Sequence, residues 1–146
     1  MNAKILLNGQ WMETQKKKYI PIPCDERKII EVSYADDQIM NQAIEAAVQG
    51  AKIMKKMSAY HRYLILKNMA ENIEKNKEEF VHLIIQEAGK PISLSKAEVS
   101  RAVSTFTIAS EESRRISGEV IALDIDAAST NYKGYTHIFP VGIVKF

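Results

Sequence analysis

The chain has 146 residues, one domain's worth, with Lys+Arg 20 against Asp+Glu 18, so 20 − 18 = +2. A near-neutral balance argues against a dedicated nucleic-acid binder, and 46% hydrophobic with 26% charged residues argues against disorder as the main state. One cysteine, Cys24, excludes an internal disulfide and a multi-thiolate metal site. The apolar runs, such as Tyr63–Leu66, fall far short of the ~20 residues of a membrane span. The first residues lack the apolar core of a secretory signal. The expected address is the cytoplasm, with no membrane and no nucleic-acid partner.

Three stretches follow one another. From Met1 to about Ala35 the pattern is extended. Ile5-Leu6-Leu7, Asn8-Gly9 and Gln10-Trp11-Met12 read as a hairpin, because Asn-Gly tolerates positive φ at both positions of a type I′ turn. A second extended pair is expected at Tyr19–Ile22 and Ile29–Ser33, with Pro21 and Pro23 making the former an edge strand or irregular. Lys16-Lys17-Lys18 reads as a solvated loop between the two hairpins.

From Asp36 to Ser117 the period becomes helical. Asp36 and Asp37 suit a helix N-terminus. Ile39, Ala43, Ala46, Ala47, Gly50, Ile53, Met54 and Met57 recur at three to four, and the small residues suggest close packing against another element. Ser58 is a candidate N-cap. Asn76 with Glu79, and Ser95 with Glu98, have the spacing of capping boxes. Gly89-Lys90-Pro91 breaks the helix between them. Val99, Ala102, Val103, Phe106, Ala109 and Ile116 form the last stripe, which Gly118 ends.

From Glu119 to Phe146 the chain returns to strand. Ile121, Leu123 and Ile125 alternate, a loop over 127–134 follows, and Tyr135–Phe139 is the expected return strand of a long hairpin. Val141-Gly142-Ile143-Val144 reads as the opening of a buried strand. The fold class is therefore α+β: N-terminal β-hairpins, central helices, then a protruding β-hairpin.

Chemistry is sparse. The six glycines include no Gly-x-Gly, so the dinucleotide phosphate loop is missing. Gly89-Lys90 fails as a phosphate loop, because position 84 is Ile and position 91 is Pro. His61, His82 and His137 show no metal-ligand spacing with one another or with Cys24. Around Cys24, Arg27 and Lys28 are offset by Asp25 and Glu26, so a packed or loop thiol is favoured over a nucleophile. No catalytic, cofactor-binding or metal residue is assigned.

The order of signals nevertheless resembles the aldehyde dehydrogenase superfamily, in its N-terminal portion. The residues that carry this are Leu6-Leu7-Asn8-Gly9-Gln10-Trp11, the Ala-rich helix at 43–51, Arg62 with Leu66 and Ala70, and Lys77-Glu78-Glu79-Phe80. Glu87-Ala88-Gly89-Lys90-Pro91, Glu98-Val99, Gly118-Glu119-Val120-Ile121 and Phe139-Pro140-Val141-Gly142-Ile143-Val144 complete the series. The Met57-Ser58 stretch and the Lys-rich helices look closest to the lactaldehyde or phosphorylated-aldehyde branch.

The resemblance implies a reaction in which a Cys thiolate attacks an aldehyde, hydride passes to NAD or NADP, a Glu activates water, and an Asn amide stabilises the oxyanion. It places all of those groups downstream of the strand at Val141–Val144, and Cys24 does not match the nucleophile. The expectation is an N-terminal segment that is catalytically inactive alone and holds no cofactor itself, with NAD or NADP and an aldehyde substrate belonging to the intact family. An engineered cut, a natural truncation and a frameshifted product all fit its end at Phe146.

The resemblance also implies a division of labour. Residues 1–118 pack on a cofactor-binding domain, 119–139 form an oligomerisation hairpin giving a homo-oligomer, and 140–146 begin a cofactor-domain strand. The alternative is a non-catalytic protein-interaction or oligomerisation module.

Overall fold

The structure is a computed structural model that describes residues 2–23 and 25–143. Met1, Cys24 and the stretch Val144–Phe146 lie outside the described residues. Strands β1 (Asn2–Ala3), β2 (Ile5–Leu7), β3 (Gln10–Met12), β4 (Lys17–Ile22) and β5 (Asp25–Ser33) precede four helices. These are α1 (Asp37–Lys56), α2 (Ala59–Lys75), α3 (Lys77–Ala88) and α4 (Ile92–Glu112). Strand β6 (Val120–Ala122), a 3-10 turn at Ala127–Ser129 and strand β7 (Lys133–Tyr135) follow. This is the expected α+β order.

Asn8 and Gly9 take φ of 49° and 79°, and Leu6 faces Trp11 across the turn. The two residues twist the chain in the sense the flanking strands need. Strand β5 runs antiparallel to β4 and parallel to β1, in the order β1-β5-β4, so Pro21 does lie on an edge strand. The register shifts between Pro21 and Ile22. Strand β4 begins earlier than expected, taking Lys17 and Lys18 out of the loop. Lys17 sits diagonally across the ladder from Glu31 and bonds to it, which holds the strand's first residue in register.

The helices start and stop for identifiable reasons. Asp36 accepts a hydrogen bond from the Ile39 amide at 2.9 Å, and Ser58 accepts from the His61 amide at 3.2 Å. Each such cap contributes about 1 kcal/mol. Two expected capping boxes are not formed. Asn76 closes α2 and opens α3 at once, and its Nδ2 donates to the Asn72 carbonyl at 2.8 Å, so its amide serves the end of α2 instead of the start of α3. Ser95 is not a cap, because α4 begins at Ile92 with Pro91 in the capping position. The Ser95 N–H and Oγ both donate to the Pro91 carbonyl, at 3.0 and 3.1 Å. Gly89 ends α3 in the left-handed region at φ 63°, as expected.

Helix α4 packs against both α2 and α3. The buried aliphatic residues are Ala70, Val81, Val99 and, on β5, Ile30. Helix α1 contributes no buried residue. At Gly50, one of its small residues, a Cβ would find no atom within 4 Å. The last stripe also stops early. Helix α4 ends at Glu112, leaving Ile116 59% exposed.

The terminal ribbon pairs Val120 with Tyr135, Ile121 with Gly134 and Ala122 with Lys133. The return strand thus lies nearer the turn than the expected Tyr135–Phe139. Asp126 is the reason. Its Oδ1 accepts from the Ala128 and Ser129 amides at 2.9 and 3.1 Å, folding part of the connection into a 3-10 turn. Alternation is incomplete. The side chains of Ile121 and Leu123 lie over Gly134, whereas Ile125 is 85% exposed. Residues 140–143 form no strand, and Val144 lies outside the described residues.

Thr136 closes the base of this ribbon. Its N–H donates to the Glu119 carbonyl at 2.9 Å, and its Oγ1 accepts from the Glu119 amide at 2.7 Å. A Cβ on Gly118 would lie 1.7 Å from the Thr136 carbonyl oxygen, so no side chain fits there. Gly118→Ala is expected to open the ribbon at a cost of about 1–3 kcal/mol. Faster amide exchange at Glu119 and Thr136, with α2 and α4 unchanged, is the result that checks this.

Candidate functional site

The groups with chemical potential do not converge. His61 lies in the first turn of α2, exposed, with Nδ1 3.0 Å from the Ser58 Oγ, so its ring belongs to the cap. His82 is exposed on α3. The His137 ring meets Phe139 edge-on, with centroids 4.7 Å apart. Among the described residues no three His, Cys, Asp or Glu side chains gather closely enough to hold a metal. Cys24 lies outside the described residues. Also among the described residues, no helix is long and apolar enough to cross a membrane.

The cations near the candidate motifs are engaged. Lys17 bonds to Glu31 and, at 3.2 Å, to Glu13, which also pairs with Lys4 at 3.4 Å. The hydrogen bond that Lys17 donates to Glu31 raises its ammonium above its usual range, and those that Lys17 and Lys4 donate hold the Glu13 carboxyl below its own. Lys90, placed after Gly89 like the lysine of a phosphate loop, reaches Glu98 at 2.5 Å and holds that carboxyl low. Arg114 bonds to Glu111 and stacks on the Tyr63 ring, 4.1 Å from its centroid, tying the end of α4 to α2.

The concave surfaces are open. One, about 560 Å³, lies between the β2–β3 turn and α1, lined by Leu7, Asn8, Gln42, Glu45, Ala46 and Gln49 among others. It offers amides and one carboxylate, with no nucleophile and no base–nucleophile pair. A second, about 420 Å³, lies between α2 and the end of α4, and Arg62 on its wall donates to the Met57 carbonyl at 2.7 Å. The N-termini of α1 and α2 carry the capping side chains of Asp36 and Ser58, and α4 follows Pro91 in its capping position.

What the arrangement does offer is apolar surface. A folded monomer of 16.5 kDa exposes about 7,500 Å², whereas this chain exposes 11,765 Å². Ile53, Met54, Trp11, Val120 and Tyr135 are all at least half exposed. Exposed apolar surface on this scale is characteristic of elements that meet further protein.

The aldehyde dehydrogenase family model matches residues 11–146, and the chain belongs to that family. The 3-sulfolactaldehyde dehydrogenase of Priestia aryabhattai is 32% identical over 140 residues, 96% of this chain and 29% of that protein. Aldehyde dehydrogenase 21 of Physcomitrella patens, solved with the product succinate, superposes with a TM-score of 0.80 at 32% identity, over 92% of this chain and 28% of that one. The NADP-dependent glyceraldehyde-3-phosphate dehydrogenase of Bacillus halodurans C-125, solved with NADP, gives 0.81 at 29% identity, over 88% and 28%. The chain thus spans about 29% of the length of the curated relatives it matches, and it corresponds to the N-terminal portion of the family.

The ion pairs predict an acid dependence. Glu98 and Glu13 have lowered carboxyl values in the fold. Their contribution is therefore complete above the ordinary carboxylate range and disappears as pH falls through the lowered folded values. Thermal stability is expected to hold level from about pH 5 upward through neutrality and to fall below about pH 4. Glu98→Gln should flatten part of that acid slope, as read by circular dichroism at a series of pH values.

Proposed function

We propose that this chain acts as the N-terminal scaffold and subunit-contact ribbon of an NAD- or NADP-dependent aldehyde dehydrogenase. In the whole protein an aldehyde is oxidised to a carboxylic acid. The segment supports that chemistry without supplying its reacting groups. One observation carries the reading: roughly 4,200 Å² of surface beyond that of a folded monomer is exposed, while among the described residues no side chains converge on a reacting centre. An enzyme in its own right would close its apolar faces around a pocket.

The substrate we infer for the whole protein is a short hydroxyaldehyde of the lactaldehyde or phosphorylated-aldehyde type. The names of the Priestia and Bacillus relatives, a sulfolactaldehyde and a glyceraldehyde-3-phosphate dehydrogenase, support this class. NADP in the Bacillus structure supports a nicotinamide acceptor. Residues 1–118 would pack on the cofactor-binding part and 140–146 would lead into it. A single cysteine suits a reducing compartment such as the cytoplasm.

The ribbon within 119–139 would join subunits into a homo-oligomer. Val120 is 78% and Tyr135 72% exposed, and a two-stranded ribbon is marginal alone. Its open edges favour pairing with another strand.

Two measurements test this reading. Light scattering of the purified chain should give a mass that rises with concentration, and a constant monomer mass would contradict the ribbon's role. Titration with NAD and with NADP, followed by Trp11 fluorescence and thermal unfolding, should give no saturable change. A saturable response to either nucleotide would show that these residues build a cofactor site themselves.

A further inference from the structure

The chain has seven asparagines, and glycine follows one of them, Asn8. Asn-Gly can rearrange without an enzyme, because the glycine nitrogen can reach the asparagine side-chain carbonyl past no side chain of its own. The fold sets the other six asparagines apart. Asn41 lies inside α1, and Asn68 and Asn72 inside α2, so the next amide in each case is committed to the helix. The Asn76 amide donates to the Asn72 carbonyl at 2.8 Å. After Asn131, the Tyr132 N–H donates to the Ser129 carbonyl at 2.9 Å. Asn2 lies in β1, paired with β5.

Asn8 differs on each count. It is exposed, it sits in the left-handed region at φ 49°, and its side-chain amide has no hydrogen-bond partner among the described residues. Gly9 lies in the turn, outside the ladder that pairs Leu7 with Gln10. The space where a Cβ would stand on Gly9 is open to 4 Å.

We propose that Asn8 is a self-modification site, the asparagine of this chain that converts to aspartate and isoaspartate while the protein is folded. Base removes the Gly9 amide proton. The nitrogen pair forms a bond to the Asn8 Cγ, the Cγ–Nδ2 bond breaks, and Nδ2 takes up a proton from the conjugate acid of that base and leaves as ammonia. The resulting cyclic imide takes up one water at either carbonyl, giving aspartate or isoaspartate. No electrons are exchanged.

The consequence is local and directional. Isoaspartate adds a carbon to the main chain, so two residues no longer close the turn between Leu7 and Gln10. Either product places a new carboxylate in the cleft that Asn8 shares with Glu45 of α1. Like charge then opposes the approach of turn and helix.

The test is ageing of the full chain at mildly alkaline pH, with tryptic mass mapping of the peptide Ile5–Lys16. In native buffer Asn8 should gain the mass difference between water and ammonia several-fold faster than Asn76 or Asn131, with two product isomers resolved by chromatography. Conversion no faster than at those two sites, or conversion confined to chain unfolded in urea, would overturn the proposal. Gly9→Ala strains a residue at φ 79°, so its comparison is made in urea, where the turn is absent. There it should slow Asn8 several-fold, and an unchanged rate would overturn the attack by the Gly9 nitrogen.

Discussion

Helix α4 packs against both α2 and α3, and buried serines with satisfied hydroxyls are part of it. Ser95 has no exposed surface and Ser110 is 2% exposed. Each hydroxyl donates to a carbonyl of the same helix or its cap, Ser95 to Pro91 and Ser110 to Thr107 at 2.7 Å. A small side chain that satisfies its own polar atom can be buried against a neighbouring helix without the penalty of an unpaired hydroxyl. Ser113 repeats the arrangement at the end of the helix, donating to Ser110 at 2.7 Å. Just beyond it, Arg114 on Tyr63 locks the helix pair. The chain's secure packing is therefore narrow, and it is local in sequence.

Apart from Ile30 and Ser33 on β5, little outside that cluster is buried among the described residues. Helix α1 is capped at its start by Asp36 and carries an apolar stripe, yet it buries none of its residues. The ribbon β6–β7 is pinned at its base by Thr136 and Glu119 while its faces stay open. These are elements with sound local reasons to form and few internal reasons to stay where they are. That character fits the proposed role, in which further protein would cover the apolar faces left open here. The proposed role as scaffold and contact ribbon follows from that imbalance, as does the absence of converging nucleophile, base and phosphate-binding amides among the described residues.

Local rules were legible wherever one residue type settles the matter. Asn8-Gly9 specified the hairpin, Pro21 the edge position, Gly89 the end of α3, and Asp36 and Ser58 the starts of α1 and α2. The same rules misplaced the caps at Asn76 and Ser95. Both side chains have a second acceptor within reach, the Asn72 carbonyl in one case and the Pro91 carbonyl in the other, and spacing alone does not rank the two. The return strand was placed too far along because the Asp126 turn shortens a connection that reads as plain loop. Lys17 read as loop because its partner, Glu31, is a cross-strand neighbour that linear distance conceals.

The sequence by itself determined the α+β order, the helix starts at Asp36 and Ser58, the break at Gly89, and the family, since these depend on neighbouring residues and on motif order. The tertiary structure alone decided that Ser95 is core instead of cap, that Lys90 is spent on Glu98, and that Gly118 is held against the Thr136 carbonyl. It also decided which apolar stripes stay open. A stripe of the right period forms whether or not anything covers it, and only positions in space show that α1 buries no residue among the described residues while α4 packs on two helices.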